Sequence, residues 1–130
     1  MSSLLLALLL SADFNGIWVG TIELPNGRTE DVSFEFVQKG GVLSGKQYDD
    51  MESTPLVKGT VSGELISFVL VRQEQAGNEI NQTRIRFTGK LVGNEIEVFR
   101  ERESSTRSGS NAGAFLRNNA RQAFKLRRLR

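Results

Sequence analysis

The chain has 130 residues, 38% of them hydrophobic, with 13 glycines and 2 prolines; that is one domain, long enough to bury roughly two-thirds of the surface its unfolded form exposes, and neither disordered nor fibrous in composition. It contains no cysteine and no histidine, which excludes a disulfide scaffold, thiolate metal sites, and serine–histidine, cysteine–histidine or zinc chemistry. The net charge of +2 divides into 9 basic and 13 acidic side chains over residues 1–100 and 8 basic and 2 acidic over 101–130, and the basic end reads as a solvated loop and edge.

The first segment, residues 1–12, holds the apolar run Leu4 to Leu10 before Ser11-Ala12. It is too short to span a bilayer. It reads as the h-region of an export signal with its charged start missing, or as an apolar helix packed on the domain that follows. Export to a periplasmic or extracellular setting is the expectation.

From Gly16 onward, short alternating runs separated by Gly/Asn turns predict antiparallel hairpins. Trp18, Gly20, Ile22 and Leu24 share one face of a first strand, ended by Pro25-Asn26-Gly27. Val32, Phe34 and Phe36 mark the second and Leu43, Gly45 and Gln47 the third, followed by a loop over Asp49–Ser53. The fourth carries Val57, Gly59 and Val61; the fifth Ile66, Phe68 and Leu70, before a loop at Gln75–Asn78. Ile85, Phe87, Gly89 and Leu91 mark the sixth, Ile96 and Val98 the seventh, and Phe124, Leu126 and Arg128 the eighth. The pattern Gly-x-aliphatic-x-Gly-x-x-Ile-x-apolar occurs at Gly59–Phe68 and again at Gly89–Val98, the same hairpin used twice. Residues 103–120 are Ser-, Gly- and Asn-rich and predict a flexible loop, with a short helix over Ala112–Gln122 as an option.

The fold class expected is therefore all-β, an eight-stranded antiparallel up-and-down barrel over residues 13–130. Gly16-Ile17-Trp18 on the first strand, with Arg127 and Arg128 on the last, resembles the calycin pattern of lipocalins and avidins. The resemblance implies that Trp18 plugs one end of the barrel while an arginine lies over its indole. Strand parity selects Arg128, since Arg127 points outward. In an up-and-down meander the start of strand one is level with the end of strand eight, so that end should also hold Leu43, Val61, Ile66, Leu91 and Ile96.

At the opposite end the same alternation brings Gln47, Asp49, Arg72, Thr83, Arg100 and Arg102 to the mouth, over Phe34, Phe68, Leu70, Ile85 and Val98. An apolar cup with a few convergent polar groups is the usual form of a small-molecule site. Arg72 and Arg100 would hold a carboxylate or phosphate by forked hydrogen bonds. The competing expectation is a barrel already packed solid, a structural or interaction module without a ligand. Gly20, Gly45, Gly59 and Gly89 either leave room inside or let the strands bend.

Other constellations carry less. Asp49, Asp50 and Glu52 lack the spacing of a calcium loop. Glu23, Glu35, Glu95 and Glu97 fall on outward parities and do not form a glycosidase pair. Nearly all phenylalanines point inward, which disfavours specific nucleic-acid binding, and Val19, Val69 and Phe99 are too scattered for an outer apolar patch. The expectation is a non-catalytic protein with no cofactor, no metal and no membrane span, whose partner is a small apolar or amphipathic, anionic ligand.

Overall fold

The computed structural model describes residues 12–48, 52–106 and 121–129. Nine strands follow in chain order: β1 (Gly16–Glu23), β2 (Thr29–Lys39), β3 (Val42–Tyr48), β4 (Ser53–Pro55), β5 (Val57–Ser62), β6 (Leu65–Ala76), β7 (Glu79–Val92), β8 (Glu95–Thr106) and β9 (Gln122–Arg128). No helix occurs among the described residues, and none there is long and apolar enough to cross a membrane.

All pairs are antiparallel. The order β2-β1-β9-β8-β7-β6-β5-β3-β4 closes on itself through β2–β3. β4 and β5 both pair with β3 and form one interrupted stave, so the barrel has eight staves, as its sequence predicts. Closure leaves the first and last strands no free edge where they meet.

Sequence boundaries shift in several places, beginning with Leu24, expected on the first strand and lying just past the end of β1. Ser53 belongs to β4. β6 runs through Gln75 and Ala76, leaving only Gly77-Asn78 as the turn before β7. Residues 103–106, expected in the flexible loop, continue β8, because β8 goes on pairing with the long β7 up to Gln82↔Thr106. Gln122, placed at the end of a helix option, opens β9 opposite Arg100. The apolar Leu4–Leu10 run, Asp49 and residues 107–120 lie outside the described residues.

The interior is a single apolar cluster built by the period-two alternation of every stave. Phe34, Phe36, Phe68, Phe87 and Phe124 are each at most 7% exposed. Their rings touch as stacked and edge-on pairs at centroid distances of 4.8–6.4 Å, the separations at which ring quadrupoles attract. Val69, expected on the outer face, is fully buried. It stands between Val57 and Arg86 on the adjacent strands.

The glycines do not leave room. A Cβ on Gly20, Gly45 or Gly59 would fall 2.3, 1.8 or 1.9 Å from a backbone oxygen of the neighbouring strand, so these positions are where staves pass in near contact.

One end is shut as the sequence predicts. Trp18 is opposite Arg128 across the β1–β9 seam, and the guanidinium carbon sits 4.4 Å from the ring centroid. Arg128 is itself exposed, so the contact contributes about 0.5–1 kcal/mol, the value for solvated pairs. The residue the sequence did not single out is Phe14, fully buried in the core cluster beside Trp18. Its carbonyl accepts the indole N–H at 2.9 Å, and its own N–H donates to Gln38 Oε1 at 2.9 Å. Arg128 also donates to the carbonyls of Asn15 and Asp13, which ties residues 13–15 over this end.

Asp13 caps that segment by accepting from the backbone and side-chain nitrogens of Asn15, both at 2.9 Å. These bonds hold its carboxyl below the usual aspartate range, opposed by slight desolvation and helped by Arg128. A depressed folded value means the contribution is complete above the unfolded aspartate value of about 3.9 and is lost as pH falls through the folded one. An NMR titration should give Asp13 a midpoint below that of Asn15→Ala, in which the side-chain bond is gone.

Candidate functional site

The opposite end is polar, and its residues arrive from four staves. Thr83 follows Ile85 and Phe87 outward along the inner face of β7, and Arg72 is its direct partner on β6. Arg100 and Arg102 stand on β8 opposite Phe87 and Ile85. Gln47 lies on β3 opposite Phe34 and Thr54. The sequence expectation therefore places Gln47, Arg72, Thr83, Arg100 and Arg102 at one end, and the structure does bring them there.

The lower half of the expected cup is different. Phe34, Phe68 and Leu70 are at most 1% exposed and pack against one another and the other core rings. Ile85 is half-buried against the same cluster. The rings pack on one another across the interior, so the expected apolar cup is filled core.

Local irregularity shapes this end. The last ladder pair between β5 and β6 on the mouth side is Val57↔Val69, beside a register shift between Val57 and Thr60. Pro55 has no N–H to donate to a ladder, and Lys58 adopts a φ of 55°, a conformation that turns the strand aside. β4 consequently pairs with β3 alone and shares no ladder with β6. Arg72 links β6 to β3 here, donating to Gln47 Oε1 at 2.7 Å. An open hollow bordered by Glu30, Val32, Thr54 and Arg72 runs out over Val19 and Thr21; of the five polar mouth residues it touches Arg72 alone.

Two features mark the site electrostatically. The Arg100 side chain is 14% exposed; its Nε donates to Gln122 Oε1 at 2.7 Å, and Nη1 lies 3.8 Å from Glu30 Oε1. Burial pushes its guanidinium below the usual arginine range, Glu30 opposes this, and the charges of Arg72 and Arg102 add to it. Arg72 and Arg102 therefore both stand within electrostatic reach of Arg100. The second feature is Thr83, 1% exposed, whose hydroxyl has no hydrogen-bond partner among the described residues.

Among the described residues, no group of three carboxylates, histidines or cysteines gathers as a metal site. The class the fold and site define is a closed antiparallel barrel with a packed interior, one end shut by Trp18 and the other ringed by arginines. Compared with known proteins, the chain matches no family model, no curated protein and no solved structure.

Proposed function

We propose that this is a lipocalin-like barrel that binds a small anionic molecule at its open end, without catalysis. The observation that carries the reading is the convergence of Arg72, Arg100 and Arg102 on one mouth, with Arg100 largely withdrawn from water. Holding like charges together in a partly desolvated place is unfavourable, and an anion seated among them offsets that cost through charge-assisted hydrogen bonds. The Gly16-Ile17-Trp18 and Arg128 arrangement supports the family likeness.

The ligand fits the ring above the phenylalanines and has at most a short apolar part. That packed core also favours the alternative reading, a filled barrel serving as a structural or interaction module. The two separate in one experiment. Arg100→Met keeps the apolar stem and removes the charge. Calorimetric titration with a panel of small carboxylates and phosphates should yield a binder to the wild type that Arg100→Met holds at least about tenfold more weakly, equivalent to about 1.4 kcal/mol. If the wild type binds none of the panel, the filled-module reading takes its place.

A further inference from the structure

We infer that the anion recognised at the mouth is a phosphate monoester, and that the Thr83 hydroxyl is the residue that selects it. This rests on the anion-binding reading above and names the ligand class. Thr83 is 1% exposed, and among the described residues its hydroxyl has no hydrogen-bond partner. A buried hydroxyl without a partner costs about 1–3 kcal/mol, which a ligand oxygen would recover.

Its neighbours give the shape of the missing acceptor. Arg72 lies directly across from Thr83 on β6. Arg102 lies on the other side, diagonally, because the register shift at Arg84/Ile85 sets Arg102 opposite Ile85. Arg100 follows one alternation below Arg102 on the same face. Donors thus reach the mouth from three successive staves of the curved wall, β6, β7 and β8. A planar carboxylate is satisfied by one guanidinium fork in its own plane. A tetrahedral phosphate, with three terminal oxygens pointing apart, can accept from donors on all three staves. Bulges of this kind commonly re-aim side chains next to functional sites.

The test uses the whole chain with glycerol 3-phosphate and with glycerate, a carboxylate of similar size. Glycerol 3-phosphate is expected to bind at least about tenfold more tightly than glycerate, a difference of about 1.4 kcal/mol. Thr83→Val, which keeps the shape and removes the hydroxyl, should lose most of that preference, while Thr83→Ser keeps it. The ligand-free Thr83→Val protein should melt at or above the wild-type temperature, since it loses no hydrogen bond. A lower melting temperature, or failure to fold, would assign the hydroxyl a structural bond and overturn the inference.

Equal binding of the two anions, still weakened by Arg100→Met, would also overturn it and leave the anion reading standing. Failure of both soluble anions and of phosphatidic acid vesicles to bind would remove both. Vesicles of phosphatidylcholine carrying phosphatidic acid present the same phosphate monoester as a lipid headgroup. A response in the soluble arm or the vesicle arm supports the assignment and identifies the source, and silence in both overturns it.

Discussion

Trp18→Ala is expected to destabilise the protein by about 3–5 kcal/mol, the range for removing a large buried aromatic, and to lower the melting temperature by about 10 °C or more. The indole is fully buried, accepted by the Phe14 carbonyl and covered by Arg128. Its removal leaves a cavity under Phe14 and cuts one of the bonds that hold the 13–15 segment in place. Trp18→Phe should cost less, since the ring volume is partly restored, yet it leaves the Phe14 carbonyl without its donor. Chemical denaturation of the two variants and of Arg128→Met checks the order: alanine worst, phenylalanine intermediate, Arg128→Met mildest, because that arginine is exposed and its ring contact is worth about 0.5–1 kcal/mol. Arg128→Met falling as far as Trp18→Ala would mean that the tie to Asp13 and Asn15 outweighs the buried ring.

Gly45→Ala should be comparably severe for a different reason. Gly45 has a φ of 125°, and a Cβ there would lie 1.8 Å from the carbonyl oxygen of Glu35. The substitution forces β2 and β3 apart where Phe36 pairs with Gly45, and it disturbs the bond that the Gly45 carbonyl accepts from Leu56 N–H at 3.0 Å. A loss of about 3 kcal/mol or more is expected, in the class reserved for disrupted packing and strained backbone. Gly40→Ala is the control. It also has positive φ, but open space surrounds its Cβ position, so the cost should stay near 1 kcal/mol. Urea melts that show equal losses would place the effect in backbone conformation, with no part for the close approach of strands.

The parts of this architecture legible in the sequence are those fixed by local period and chain direction. Alternation assigned Trp18 and Arg128 to one face, and the up-and-down course of the strands made them level, so their meeting followed without long-range information. The same two rules brought Gln47, Arg72, Thr83, Arg100 and Arg102 to the far end. Parity says that Phe34, Phe68 and Leu70 point inward, but whether they line a hollow or fill it depends on ring orientation and on how closely the staves approach. The glycines were ambiguous for that reason: a missing side chain means space in a wide barrel and near contact in a narrow one. The break of one stave into β4 and β5 falls at Pro55 and Lys58, where no alternation is interrupted in the sequence, and Phe14 precedes the first strand, beyond the reach of any periodic signal. Thr83 was placed at the mouth by parity, whereas its lack of a partner is a property only of the assembled site.

The seam between β1 and β9 has a consequence for how the chain reaches this state. The bonds from Arg128 to residues 15 and 13 span 113 and 115 positions, nearly the whole polypeptide. Hairpins such as β6–β7 assemble within about 1–10 μs in isolation, while the entropy cost of drawing two ends together grows as the logarithm of the intervening length. Local ladders therefore come early, and the ring shuts late. Until it does, two bare edges face water, each shaped to fit the other. At high concentration the nearest β9 for an open β1 is often on another molecule, so rapid refolding of crowded chains would favour rings exchanged between copies over rings closed within one.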